Sequence, residues 1–313
     1  MSEARAIVID CDPGHDDAVA LLLALAAPER LDVRSVTAVA GNVALDKAER
    51  NARALVELAR RDDVTVYAGC ERPWRRALVT AEPIVGPTGL DGADLPPPAR
   101  ALGQGHAIDV LADLLRKARP RSITLCPLGP LTNFGTLFLR APELASRVRE
   151  IVLMGGAIGI GNVTASAEFN IFTDPHAASC VFAAGAPIVM LPLEATHQVI
   201  ATPERVRAFA QLGTPVGRAI AGLLGRDSGR DLSRFGGRGI PLHDPCVIGY
   251  LLWPELFSGF AAHVAIETES ELSMGRTVVD RWRSARPPDN AMVIDRVDAE
   301  ALFSRMTATL ARL

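Results

Sequence analysis

The chain predicts an α/β fold, a mostly parallel central sheet flanked by helices with its functional site at the C-terminal ends of the strands. Three observations predict it. Short apolar runs of strand length alternate with helical stretches along most of the sequence. The segments that follow several of those runs are polar and glycine-rich, and in open parallel sheets ligands bind outside the carboxyl ends of the strands. Finally, 313 residues with 49% hydrophobic content can bury both faces of a large sheet, so one domain over residues 1–313 is expected.

Ala6–Ile9 is a continuous apolar run suited to a strand covered on both faces, and Pro13-Gly14 marks a turn. Ala18–Ala26 reads as a buried helix that stops near Pro28. Next come a strand at Val33–Val39, a helix at Ala44–Arg60 and a strand at Val64–Ala68. A helix at Ala107–Ala118 precedes a strand at Ile123–Cys126, and a strand at Ile151–Met154 precedes a helix at Pro175–Ala184 and a strand at Ile188–Leu191. Val264–Ile266, Thr277–Asp280, Met292–Ile294 and a final helix from Ala299 complete the domain. Cys70–Gly105 is Pro/Gly-rich and poor in periodicity, Gly225–Gly239 is rich in Arg, Asp and Gly, and both read as long functional loops or lids.

Composition narrows the ligand class. A formal net charge of -3 and no run of Lys or Arg argue against nucleic acid or an acidic membrane as partner, and favour a small molecule. Five scattered cysteines without a C-x-x-C pair suggest reduced thiols and a cytoplasmic setting. No leader-type segment and no run long enough to span a bilayer is evident, so a soluble, unprocessed protein is expected.

The densest chemistry lies where the first strand meets the first helix. Asp10-Cys11-Asp12-Pro13-Gly14-His15-Asp16-Asp17 holds four carboxylates in eight residues, and no Lys or Arg occurs between Arg5 and Arg30. Carboxylates this crowded repel one another unless a cation or a proton lies among them, so a bound metal is the leading explanation. A carboxylate set with no Cys/His spacing suits a hard cation such as Ca²⁺ rather than zinc. Alternation places Asp10 and Asp12 on one side of the strand, while Asp16 and Asp17 fall in the first helical turn, where either can also act as a cap.

A further acid, Asp244, stands far along the chain in Pro241-Leu242-His243-Asp244-Pro245-Cys246, before an apolar helix that Pro245 can open. Asp244 as an N-cap and His243 as an ordinary surface or core histidine are the bland alternatives. Amide and carboxylate side chains suited to vicinal hydroxyls lie close to glycine-rich turns: Asn42, Asn162, Glu168 and Asn170. Glu168 and Asn170 together point to sugar recognition, whereas Asn133 reads as a turn residue.

At these residues the chain resembles the inosine-uridine-preferring nucleoside hydrolase family, and within it the pyrimidine-preferring ribonucleoside hydrolases. The resemblance is carried by Asp10 through Ala18, Gly41-Asn42, Gly129-Pro130-Leu131-Thr132-Asn133, Met154-Gly155-Gly156-Ala157, Glu168-Phe169-Asn170 and His243-Asp244-Pro245, in the family's order and over nearly the whole chain. It implies a Rossmann-like fold and hydrolysis of the N-glycosidic bond of ribonucleosides to free base and ribose, in nucleoside catabolism and salvage. It further implies Ca²⁺ held by Asp12, Asp17, Asp244 and the Leu128 carbonyl, with Asp12 as general base toward a calcium-bound water. Asp16 would bind the ribose 2′-hydroxyl, Asn42 and Asn162 would hold the sugar, and Glu168 and Asn170 would bind hydroxyls toward its 3′ and 5′ side. Met154 would pack beneath the ribose, and His243 would lie near the base as a second catalytic group. A homodimer or homotetramer is implied as well.

The chain departs from the family where the base is recognised. Many relatives carry His at the position of Val85, and the stretch Arg226 to Phe235 lacks the Tyr or Trp that several relatives bring near the base, with Phe235 the available substitute. Those departures keep open a catalytically impaired nucleoside- or ribose-binding protein. An Asp-nucleophile phosphohydrolase, with Asp10 attacking phosphorus, is the other rival. No late Gly-Asp pair supports it, and an acid-dense helix start would repel phosphate.

Overall fold

The computed structural model describes residues 4–225, 236–283 and 287–313. Its strands are β1 Arg5–Cys11, β2 Leu31–Ala38, β3 Val66–Ala68, β4 Ile123–Pro127, β5 Val148–Met154, β6 Ile188–Leu191, β7 Ile200–Ala201, β8 Ile240–Pro241, β9 Phe257–Ile266, β10 Thr277–Asp280 and β11 Ala291–Val297. The helices are α1 His15–Leu25, α2 Leu45–Leu58, α3 Glu82–Val85, α4 Ala107–Lys117, α5 Thr132–Arg140, α6 Phe169–Thr173, α7 Pro175–Ala183, α8 Leu193–Thr196, α9 Pro203–Ala210, α10 Pro215–Gly225, α11 Pro245–Leu252 and α12 Ala299–Leu310.

Nine strands form one sheet in the order β10-β9-β11-β6-β5-β4-β1-β2-β3, and β7 pairs with β8 in a separate ribbon. From β3 to β11 neighbouring strands run parallel, while β9 and β10 add an antiparallel edge. Strand order therefore reverses between β1 and β4, and the crevice beyond their C-terminal ends is the place where an open α/β sheet binds ligands. Asp10 pairs in register with Thr37 on one side and Pro127 on the other, so the acidic run leaves the sheet at that crevice.

The sheet is buried on both faces, as the unbroken apolar run in β1 requires. Ile7 and Ile9 join one core and Val8 joins the other. Helix α1 is apolar all round because it is enclosed: every residue from His15 to Leu25 except Asp16 is buried, and it packs against α2, α10, α11 and α12. This burial anchors the helix whose first turn presents Asp16 and Asp17.

Most elements lie where periodicity placed them. The antiparallel edge is longer than the expected Val264–Ile266, because β9 begins at Phe257, and the β7–β8 ribbon carried too few residues to read as strands. The Cys70–Gly105 stretch is irregular apart from α3. Most of the second expected loop, residues 226–235 with Phe235, lies outside the described residues. Among the described residues, no helix is long and apolar enough to cross a membrane.

Candidate active site

A cavity of about 560 Å³ opens at the β1–β4 crevice, a size suited to a small organic ligand. Asp16, Asn42, Leu128, Met154, Asn162, Glu168, Asn170, His243 and Asp244 all line it. The structure thus gathers expected site residues that lie far apart in sequence. Asp12 and Asp17 lie in the fully buried layer behind them.

The Asp12 carboxylate is held in a glycine slot. A Cβ on Gly41 would overlap Asp12 Oδ2 and lie 2.7 Å from Pro130 Cδ, and a Cβ on Gly129 would overlap Oδ1 and lie 2.8 Å from Asp12 Cγ. Oδ2 accepts a hydrogen bond from the Asn42 amide at 2.5 Å, while Oδ1 is buried and has no hydrogen-bond partner. Burial, then repulsion from Asp17, drives the Asp12 carboxyl well above the usual carboxylate range.

Asp17 both caps its helix and faces the other acids. Its Oδ2 accepts from Gly14 N and Asn42 Nδ2, each at 3.0 Å, and its Oδ1 accepts from Asp12 N at 3.3 Å. Burial, followed by repulsion from Asp16, raises its carboxyl to about 6. Asp244 occupies the N-cap position of α11 but makes no capping bond with its side chain. Its carboxylate instead faces those of Asp16 and Asp17, and burial, followed by repulsion from Asp16 and Asp17, drives its carboxyl well up. Buried acids this close repel one another unless a proton or a cation lies among them.

Among the described residues, Asp16, Asp17 and Asp244 form a group whose ligand oxygens all lie within 4.8 Å of one another. Two of these, Asp17 and Asp244, are expected metal ligands. Asp16 joins them, and Asp12 falls outside this set while still repelling Asp17 and Asp244. Leu128 lines the cavity, and its carbonyl accepts one bond, from Asn170 Nδ2 at 2.6 Å, which leaves its second lone pair. The crowded acids, the unpartnered Asp12 Oδ1 and an oxygen-only donor set fit a hard divalent cation.

The sugar-reading candidates are braced by backbone. Glu168 caps α6: Oε1 accepts from Asn170 N at 2.8 Å, and Oε2 accepts from Gly156 N at 2.9 Å and Ile171 N at 3.1 Å. Burial outweighs these three amides and raises its carboxyl to about 7. The Asn170 amide also donates to the Met154 carbonyl at 3.3 Å, so Asn170 turns Oδ1 rather than Nδ2 toward any ligand. Asn162 Oδ1 accepts from Phe169 N at 2.9 Å. Val85 is buried among Ala38, Val43 and Ala48 and presents an apolar wall to the cavity.

Asp10 stands behind the site. Its Oδ1 accepts from Thr37 Oγ1 and from Asn133 Nδ2, the latter at 2.7 Å, and burial raises its carboxyl to about 7 against those two bonds. Asn133 is therefore no turn residue. Fully buried in the first turn of α5, it also accepts from Cys70 N at 2.8 Å and donates to Ala38 O at 3.1 Å. Sequence reading missed His15 and His197, which line the cavity, and Thr196, whose hydroxyl meets His243 Nδ1 at 2.8 Å. The usable signal was position, since Thr196 and His197 follow β6 at the same rim.

The model of the inosine-uridine preferring nucleoside hydrolase family matches residues 7–304. The pyrimidine-specific ribonucleoside hydrolase RihA of Klebsiella pneumoniae is 43% identical over 98% of this chain and 99% of its own length. An uncharacterised protein of Schizosaccharomyces pombe is 44% identical over 98% and 99%. Among solved structures, a purine-preferring ribonucleoside hydrolase from Gardnerella vaginalis superposes with a TM-score of 0.91 at 28% identity, covering 98% of each chain. A plant nucleoside hydrolase superposes with a TM-score of 0.91 at 30% identity, covering 98% of this chain and 99% of that one. With the site assembled at the family's motifs and the match running the length of the chain, this protein belongs to the inosine-uridine preferring nucleoside hydrolases, enzymes that cleave the N-glycosidic bond of ribonucleosides.

Proposed function

We propose that this chain hydrolyses ribonucleosides to free base and ribose with Ca²⁺ at the acid cluster and Asp12 as the general base. The observation that carries the reading is the Asp12 carboxylate, locked between Gly41 and Gly129 with Oδ1 buried and unpartnered beside Asp17. Asp17, Asp244, Asp12 and the Leu128 carbonyl would hold the cation, and the position of Asp16 within 4.8 Å of Asp17 and Asp244 supports its place beside that centre, toward the ribose 2′-hydroxyl. When bound, the cation supplies positive charge that keeps the acids ionised and makes a nearby water more acidic.

The remaining work falls to the chain. N-glycosidic cleavage develops positive charge on the sugar and negative charge on the departing base. Asp12 accepts the proton of the attacking water at Oδ1, while the Asn42 amide steadies Oδ2. The buried carboxylates provide anionic surroundings for the sugar as it gains positive charge. Met154 forms the floor beneath the ribose, Asn42, Asn162, Glu168 and Asn170 surround its hydroxyls, and His243 stands at the base. A cytoplasmic location and a homodimer or homotetramer belong to the same reading.

The test is a panel of ribonucleosides with calcium present, scored by the base released and beginning with pyrimidines, for which the 43% identical relatives are named. At least one nucleoside should turn over, and Asp12→Ala should abolish release while the protein stays folded. No turnover across the panel would leave a nucleoside-binding protein and overturn the proposal.

A further inference from the structure

We infer that Thr196 sets the tautomer and ring orientation of His243, so that His243 presents Nε2–H to the departing base. The inference rests on the proposed placement of a nucleoside in the cavity, and adds to it a positioning residue one layer behind the site.

Several helical threonine hydroxyls in this protein bond back along their own helices. Thr136, Thr173, Thr307 and Thr309 each donate to the carbonyl four residues earlier, at 2.8, 2.8, 2.9 and 2.8 Å. Thr196 ends α8, and its corresponding acceptor would be Pro192 O. That carbonyl already accepts from Ala195 N at 3.0 Å and Thr196 N at 3.1 Å, which uses both of its lone pairs. The Thr196 hydroxyl turns instead to His243 Nδ1 at 2.8 Å.

Hydrogen-bond accounting then gives the direction. Thr196 is fully buried, so a hydroxyl hydrogen without an acceptor would carry the full penalty of lost hydration. Donation to Nδ1 satisfies it, makes Nδ1 the acceptor and places the proton of a neutral His243 on Nε2. Because Nδ1 is tied to a buried group, the opposite edge of the ring turns toward the cavity that His243 lines. The His197 ring stands edge-on at 5.5 Å and 60° to His243 and restricts its rotation. An N–H held in this way can donate to the ring atom of the base that gains charge as the glycosidic bond breaks.

The full-length protein with saturating calcium provides the test. Thr196→Val keeps the shape and removes the hydroxyl; it should lower kcat for nucleosides roughly 10- to 100-fold with little change in KM. The same variant should hydrolyse 4-nitrophenyl β-D-ribofuranoside at the wild-type rate, since that leaving group needs no donor. Thr196→Ser should restore nucleoside turnover. In the wild-type protein, ¹⁵N chemical shifts of the His243 ring should identify the Nε2–H tautomer, a readout that requires no variant to fold. An Nδ1–H tautomer, or equal loss on both substrates, would overturn the inference. His243→Ala separates the two levels: full nucleoside turnover in that variant would refute the placement of His243 at the base. Slowed turnover there with unchanged turnover in Thr196→Val would refute only the role of Thr196.

Discussion

Gly41 forms the wall against which the Asp12 carboxylate is held, and no other residue type leaves room for that carboxylate where it lies. Gly41→Ala should therefore displace the proposed base without touching its chemistry. Misplacement by about 1 Å costs on the order of 100-fold in rate. Steady-state kinetics beside a thermal melt should show kcat falling at least that far in a protein that still folds, and near-normal turnover would contradict the assigned role of Asp12.

The close approach of the buried Asp17 and Asp244 carboxylates and the unpartnered Asp12 Oδ1 both call for a cation. Calcium added to chelator-treated protein should raise the melting temperature by mass action, by about 2.7 kcal/mol of stability at a hundredfold excess over Kd. Asp244→Asn should remove that increment. Equal melting and activity with and without calcium, measured by calorimetry and base release, would refute the metal assignment.

Asn133 ties three separate segments to Asp10. Asn133→Ala would leave the Cys70 amide without its acceptor and remove one of the two donors to Asp10 Oδ1. The expected loss is about 2–3 kcal/mol in denaturant unfolding, since each unsatisfied buried group costs about 1–3 kcal/mol. A loss below about 0.5 kcal/mol would mean that water replaces these bonds.

Both oxygens of Glu168 accept from backbone N–H groups, so Glu168→Gln sets an amide NH₂ against a donor whichever way it turns. Despite its similar shape it should destabilise by about 1–3 kcal/mol at neutral pH. Burial raises the folded-state carboxyl from 4.5 to about 7, so across that window the folded protein binds more protons than the unfolded chain. The contribution of this group to stability accordingly falls as pH rises through the window. Asp10 and Asp17 are raised in the same way, so denaturant midpoints collected from pH 4 to 8 should show a falling slope in the wild type that is shallower, by the share of one group, in the Gln variant.

What can be read from one sequence is what local chain chemistry encodes. The unbroken apolar runs reveal a sheet covered on both faces, the turn after β1 reveals Asp17 at a helix start, and four acids without a neighbouring cation reveal an electrostatic problem that a metal would solve. These features depend on residues a few positions apart, and period and charge density report them directly.

Tertiary structure decided which rim residues meet, because sequence spacing does not state which strand ends lie side by side. Only the strand reversal between β1 and β4 brings Gly41 and Gly129 against Asp12, and only the fold turns Asn133 from an apparent turn residue into the anchor of Asp10, 123 positions away. Asp244 reads locally as a helix cap, yet its side chain caps nothing and lies beside the Asp16 and Asp17 carboxylates instead. Asn170 spends its amide on two carbonyls, and Thr196 acquires His243 only because Pro192 O is already full. Buried polar atoms must each find a partner, and the partner at hand is set by packing rather than by sequence distance.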